Sequence, residues 1–354
     1  MAPVALADAL ERRLTPFIEQ LIALMRVPGM AVGVVAGGEM VYGRGFGVAS
    51  LNDQRPVTTE TLFHMASVTK PFVATAIMQL VEDGLIALDD PVVRHLPYFT
   101  MADERASEIT IRQMLSHTAG MPDEEDYGWD RPEYDDGALE RYVRSVADRE
   151  LIDAPGARFE YSNIAYEVLG DLLAKVGGMT FESVIAERIL RPLGMERSTL
   201  LVREADPDLL SRGHVVNEAG EIVVSDVFPY NRAHGPSSTL YSNVNDMCRW
   251  ALANLNGGEL DGARVLSRES LEAMWQPVAR VSPESHARVG LSWFSNAYRG
   301  RQIIRHDGED TGFLSQLVLV PDAGIATVAM ANTDGVIEPQ WYAAMAALEI
   351  ALTA

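Results

Sequence analysis

Phe63-His64-Met65-Ala66-Ser67-Val68-Thr69-Lys70 sets a serine three residues ahead of a lysine. The lysine is the residue to explain, because of 29 basic side chains only Lys70 and Lys175 are lysines and the rest are arginines. Arginine keeps its proton inside a protein, whereas a desolvated lysine amine gives its proton up, so only lysine can shuttle protons. Downstream, Pro71 and then Phe72, Val73, Ile77, Met78, Leu80 and Val81 recur at helical spacing until Asp83-Gly84 breaks the run. The spacing predicts a helix with Ser67 in its first turn. There the serine N–H points forward unpaired, the helix dipole favours negative charge, and Lys70 projects from the same face. Four residues then supply nucleophile, proton acceptor and oxyanion donor. The alternative is a solvated Lys70 and a Ser67 that only caps the helix.

Working outward, Leu6, Leu10, Leu14, Phe17, Leu21 and Leu24 fall on one helical face, followed by strand-like runs at 30–36 and 40–48 separated by Gly37-Gly38. The far end of the chain mirrors this arrangement. Strand-like segments lie near 287–294, 301–305, 313–320 and 325–331, with a turn at Pro321-Asp322-Ala323-Gly324 and an apolar helix from about Glu338 to Leu352. Between them, from Thr69 to about Trp275, the pattern is mainly helical and broken by Pro and Gly loops. The expectation is an α/β fold: an antiparallel sheet flanked by N- and C-terminal helices, with a mainly helical lobe inserted. Residues 1–66 and 285–354 would form the α/β lobe and 67–284 the helical lobe of a single catalytic unit, with Ser67 where the lobes meet, a favoured place for a cleft.

With 354 residues, 47% of them hydrophobic, the chain can bury a full core. A net charge of −21 argues against nucleic acid or an anionic membrane surface as partner, since phosphate binding needs clustered cations. The expected partner is a small-molecule or short-peptide substrate. The seven histidines include no pair at His-x-x-x-His spacing, so neither a metal nor another cofactor is expected. No stretch of eighteen apolar residues occurs, and Met1–Asp8 has neither a basic start nor an apolar leader segment, so the expected location is cytoplasmic. The single cysteine, Cys248, excludes an internal disulfide and reads as a buried thiol. Residues 123–136 carry eight acidic side chains and three aromatics, either a solvated loop or an acidic, aromatic rim of the cleft.

Acyl transfer also needs a group to protonate the leaving atom. Phe159-Glu160-Tyr161-Ser162-Asn163, after the Pro155-Gly156 turn, offers a tyrosine and an amide two residues apart. The same tripeptide recurs at Tyr241-Ser242-Asn243, but that copy precedes a helical run with Asp246 three residues on, which reads as a helix cap. The first copy is therefore assigned to chemistry and the second to structure.

With Ser67-Val68-Thr69-Lys70 and Tyr161-Ser162-Asn163 in this order, the chain resembles the serine β-lactamase and penicillin-recognising family, on the class C β-lactamase side. Ser116-His117-Thr118-Ala119-Gly120-Met121-Pro122, Arg191-Pro192-Leu193-Gly194-Met195 and Ser237-Ser238-Thr239-Leu240-Tyr241-Ser242 look like connecting segments of that family's esterases and D-peptidases. The family's third motif is Lys-Thr-Gly, and His306-Asp307-Gly308 occupies the matching place, so its lysine is replaced. In the family that lysine attracts a substrate carboxylate, whereas histidine near neutral pH is mostly uncharged. His-x-Gly variants are similar to those of the family's D-aminopeptidases.

The resemblance implies a serine hydrolase acting through an acyl-enzyme. Ser67 would be the nucleophile, Lys70 and Tyr161 would share base and acid duties, and the N–H groups of Ser67 and Glu309 would form the oxyanion hole beside Gly308. Asn163 would hold an amide of the acyl group or the lysine head group, and His306 would line the strand side and help transfer protons. A carboxylesterase or D-amino-acid-specific peptidase with weak or no β-lactamase activity is expected, the alternative being a non-catalytic or self-assembling member of the same fold.

Overall fold

In the computed structural model, which describes residues 3–335 and 338–354, eight strands form one sheet in which every neighbouring pair is antiparallel. Helix α1 (Pro3–Met25) leads into β1 (Gly29–Ala36) and β2 (Glu39–Gly47); the other six strands come from the end of the chain. These are β3 (Ala279–Arg280), β4 (Arg288–Val289), β5 (Phe294–Tyr298), β6 (Arg301–Asp310), β7 (Phe313–Val320) and β8 (Ile325–Ala331). Their order across the sheet is β2-β1-β8-β7-β6-β5-β4-β3. Strands β1, β7 and β8 are buried along their whole length, which is why they read as continuous apolar runs rather than alternating ones: both faces of the sheet are covered.

One face packs on α1 and on α5 (Pro339–Thr353) through Leu10, Leu14, Ile18, Val32, Val318 and Leu348. The expected stripe on α1 holds through Leu14 and then departs: Ile18 is fully buried, while Phe17 is 39% and Leu24 84% exposed. Leu6, Leu10, Leu14 and Ile18 keep a four-residue step, which lets the buried row wind slowly round the helix, and Leu21, Ile22 and Met25 extend it.

The other face shares a single core with the helical lobe. Helix α4 (Val244–Leu255) lies directly against β1 and β8, and the thiol of Cys248 sits opposite Gly33 of β1, buried and pushed up to about 12 by desolvation. Helices α2 (Lys70–Glu82) and α3 (Asn163–Gly177) pack on each other beyond it. The boundary expected at residue 285 is therefore displaced: the sheet already includes β3, and α4 covers it from within the stretch assigned to the helical lobe. A two-residue strand is too short to carry a periodic signal, and α4's face is amphipathic whichever lobe it serves. No helix among the described residues is long and apolar enough to cross a membrane.

Candidate active site

Phe63-His64 pairs with Tyr241-Ser242, and the chain then turns sharply into α2. The turn is made at Ala66, which has a φ of 45°, a left-handed conformation costing a non-glycine residue about 1–3 kcal/mol. Its neighbours hold it there. The N–H of Met65 donates to Leu240 O at 2.8 Å and its carbonyl accepts from Ser315 Oγ at 2.7 Å. Thr69 Oγ1 donates to Ala66 O and accepts from the N–H of Leu240. Ser67 lies in the resulting tight 3₁₀ turn, Ala66–Thr69, rather than in an α-helical first turn.

Lys70 is fully buried, and its Nζ lies 2.9 Å from Ser67 Oγ and 2.8 Å from the carbonyl of Ser237. The lysine head group is thus fixed by Ser237, where the sequence reading offered Asn163 for that role. A close packing brings Ser237 there: any Cβ on Gly170 of α3 would stand 2.5 Å from Pro236 Cβ, so α3 lies directly on the 235–238 turn. Burial lowers the Lys70 amine from the usual lysine range to about 8, opposed first by Glu167. Tyr161 places its hydroxyl 2.9 Å from Ser67 Oγ, and burial pushes that phenol well above 10. Near neutral pH the lysine is therefore the readier base and the tyrosine a hydroxyl with a proton to give.

A cavity of about 420 Å³ opens over Ser67, lined also by Tyr161, Asn163, Phe294, His306 and Glu309. Strand β6 forms one wall. Its last rung with β5 is Phe294↔Arg305, so residues 306–310 pair only with β7 and turn their other side to the Ser67 turn. Gly308 makes this approach possible, since a Cβ there would stand 3.0 Å from Ser67 N and 2.5 Å from Ser315 Oγ. His306 is buried, with Nδ1 2.7 Å from Asp307 O; a carbonyl only accepts, so Nδ1 carries the proton and Nε2, which has no partner among the described residues, presents a lone pair. Desolvation lowers His306 to about 4, leaving the ring neutral at pH 7. Asn163 begins α3, and its Nδ2 donates to Asp123 at 3.0 Å and to Tyr127 OH at 2.6 Å. Both amide hydrogens are used, which leaves Oδ1 as the acceptor available to a substrate N–H.

The acidic segment is neither wholly solvated nor wholly rim. Arg141 takes Glu133 and Asp135, Arg131 takes Asp126, and Glu124 accepts from Tyr142 and Arg149, while Asp123 and Tyr127 reach the cleft through Asn163.

Four supports were not singled out in the sequence. Arg305 lines the cavity with its guanidinium committed to Asp307. His64 Nε2 meets Asp310 Oδ2 at 2.7 Å and ties β6 to the strand entering the Ser67 turn. His117, at φ 53°, stacks on the Tyr161 ring at 4.2 Å and accepts the Ser162 N–H at Nδ1. Behind Lys70, Glu167 is completely buried, neither oxygen has a hydrogen-bond partner among the described residues, and His234 Nδ1 lies 3.4 Å away. The signal for Glu167 was a carboxylate within a run otherwise apolar, Ile164-Ala165-Tyr166-Glu167-Val168-Leu169. The second tripeptide is structural in the way its sequence suggests: Asn243 accepts the N–H of Asp246 to cap α4, and Tyr241 OH donates to Pro229 O.

Residues 14–352 match the family model described as Beta-lactamase. Over 92% of this chain, the sequence is 30% identical to an unguisins hydrolase of Aspergillus campestris, of whose length it spans 62%. It is 33% identical to penicillin-binding protein 4 of Amycolatopsis lactamdurans, over 86% of this chain and 81% of that one. Among solved structures, the octameric penicillin-binding protein homologue from Pyrococcus abyssi superposes with a TM-score of 0.85 at 28% identity, over 96% of this chain and 76% of that one.

Proposed function

The chain belongs to the Beta-lactamase family, and from that premise we propose that it is a serine hydrolase cleaving small esters or amides through an acyl-enzyme on Ser67. The observation that carries this reading is the convergence of Lys70 Nζ and Tyr161 OH on Ser67 Oγ, each at 2.9 Å. Ser67 Oγ adds to the substrate carbonyl carbon as neutral Lys70 takes its proton. The carbonyl oxygen, now negative, is held by the N–H groups of Ser67 and Glu309, each such donor contributing about 3 kcal/mol to lowering the barrier. Tyr161 then protonates the leaving nitrogen or oxygen as its bond to carbon breaks, and regains a proton from Lys70. Water repeats the sequence in reverse and frees the acid. The narrower reading is a carboxylesterase or a D-amino-acid-specific peptidase or amidase. A screen of short-chain nitrophenyl esters, D-amino-acid amides and a chromogenic cephalosporin tests it; turnover of none, with no fluorophosphonate adduct, would sink it.

The two tyrosines of the repeated tripeptide should separate cleanly. Tyr161→Phe lowers kcat about 10²-fold with little change in stability, because one positioned hydroxyl is lost. Tyr241→Phe leaves kcat near its original value and costs about 1 kcal/mol of stability through one hydrogen bond. Thermal melts beside steady-state kinetics make the comparison, and a kcat loss confined to Tyr241→Phe would reverse the assignment.

Charge at the wall formed by β6 supports substrates that are uncharged or cationic close to the scissile bond. His306 is neutral, Asp307 neutralises Arg305, and Glu309 and Asp123 bring negative charge to the cleft. A carboxylate-bearing β-lactam meets no free cation at this wall, so its kcat/KM should fall orders of magnitude below that of a neutral ester or D-amino-acid amide. His306→Lys narrows the gap by strengthening carboxylate binding. A native preference for the anionic substrate would instead assign the anchor to Arg305.

A further inference from the structure

A second space, of about 1100 Å³, adjoins the catalytic cavity and shares three of its walls, Phe159, Tyr161 and Val281. It runs between the loop before Tyr161 and strand β3, the outermost strand of the sheet. Its volume lies just above the range of pockets that hold drug-sized ligands, roughly 300–1,000 Å³. It can therefore accept more than the reacting part of a small ester.

The charges along this groove are unusual for a chain of net charge −21. Arg112 on its rim is taken by Asp89, and Arg158 by Asp153 and Glu160. Arg280, on β3, forms no ion pair among the described residues, and neither does Arg288, its direct cross-strand partner on β4; the one side-chain bond of Arg288 goes to the carbonyl of His286. Like charges directly opposite on an antiparallel ladder are destabilising. Arg280 lines the groove and Arg288 stands beside it across the ladder, and two neighbouring uncompensated arginines suit a carboxylate that bridges or caps them.

Direction follows from the chemistry. Tyr161 gives its proton to the leaving atom, so the leaving group lies on the Tyr161 side, where this groove begins. We propose that the groove between β3 and the Tyr161 loop is a leaving-group subsite for an extended peptide whose terminal carboxylate is held by Arg280 and Arg288. The peptide would run along the outer edge of β3, where an end strand offers unpaired backbone groups. The inference rests on the acyl-transfer reading above for its direction, and its test separates the two.

Alanine oligomers of two to five residues, with L- or D-alanine first and the C-terminus either free or amidated, are titrated into the Ser67→Ala protein. The free acids of four and five residues should bind at least tenfold more tightly than their amides, with a ratio near one for the dipeptides. In Arg280→Gln/Arg288→Gln that ratio falls to about one, and in Arg280→Glu/Arg288→Glu it inverts. Because each ratio is read within one protein, a general loss of affinity does not imitate the result. A ratio near one at every length, a ratio indifferent to both double substitutions, or no measurable binding of any free acid overturns the proposal. The ester and amide screen with fluorophosphonate labelling answers the other question: no turnover and no adduct beside a preserved ratio sinks the acyl-transfer reading and leaves only a carboxylate-binding groove, whereas turnover and labelling with a ratio of one sink only the subsite.

Discussion

Ser67→Ala lowers turnover of the best ester or amide by about ten-thousand-fold or more and abolishes labelling by a fluorophosphonate. No neighbouring group can substitute. The only thiol, Cys248, is buried against Gly33 on the inner face of the sheet with its pKa pushed up to about 12, and Tyr161, the other hydroxyl in contact with Ser67, is held protonated by burial. Ala66 carries the strain that directs Ser67 into the cleft, and that strain is balanced through Met65, Thr69, Leu240 and Ser315 rather than through the serine hydroxyl. The variant should therefore fold and bind substrate while losing covalent chemistry. Intact-mass analysis after labelling reads it directly: one adduct on the peptide containing Ser67 in the unsubstituted chain, none in the variant. An adduct on another peptide, or turnover that survives the substitution, ends the assignment.

What the sequence disclosed follows the range of the interactions involved. Ser67 and Lys70 lie within one turn, so their spacing alone predicts a contact that the structure has at 2.9 Å. The long buried strands likewise announce themselves as apolar runs bounded by glycine and proline. Partners far apart in the chain leave no such trace: Asp123 with Asn163, His64 with Asp310, and Lys70 with the Ser237 carbonyl, a backbone acceptor with no residue signature at all. Asn163 illustrates the consequence. Its type and position marked it for the cleft, but whether its amide faced the lysine or the substrate depended on a carboxylate forty residues upstream. Arg305 precedes His306 on the same strand and carries no motif signal of its own; only the cavity geometry reveals that both line it.

Lys70→Arg lowers kcat by about a thousandfold or more across pH 6–10, nearly as much as Lys70→Ala, because charge is retained while proton exchange is lost. The unsubstituted enzyme behaves differently with pH. In the proposed acyl transfer Lys70 must be neutral to accept the serine proton, and burial brings its pKa to about 8, so kcat/KM should rise about tenfold per unit below that value and level off above it. Arginine remains protonated throughout this range, so the variant has no rising limb to recover. Glu167 supplies the internal check. Its carboxylate, buried beside His234, is the first of the charges that oppose the lowering of the lysine pKa; Glu167→Gln should therefore move the acid limb to lower pH, the opposite of what a simple loss of packing would do. A Lys70→Arg enzyme with near-normal rates would reduce Lys70 to an electrostatic role and leave Tyr161 as the base, even against the burial that raises its pKa.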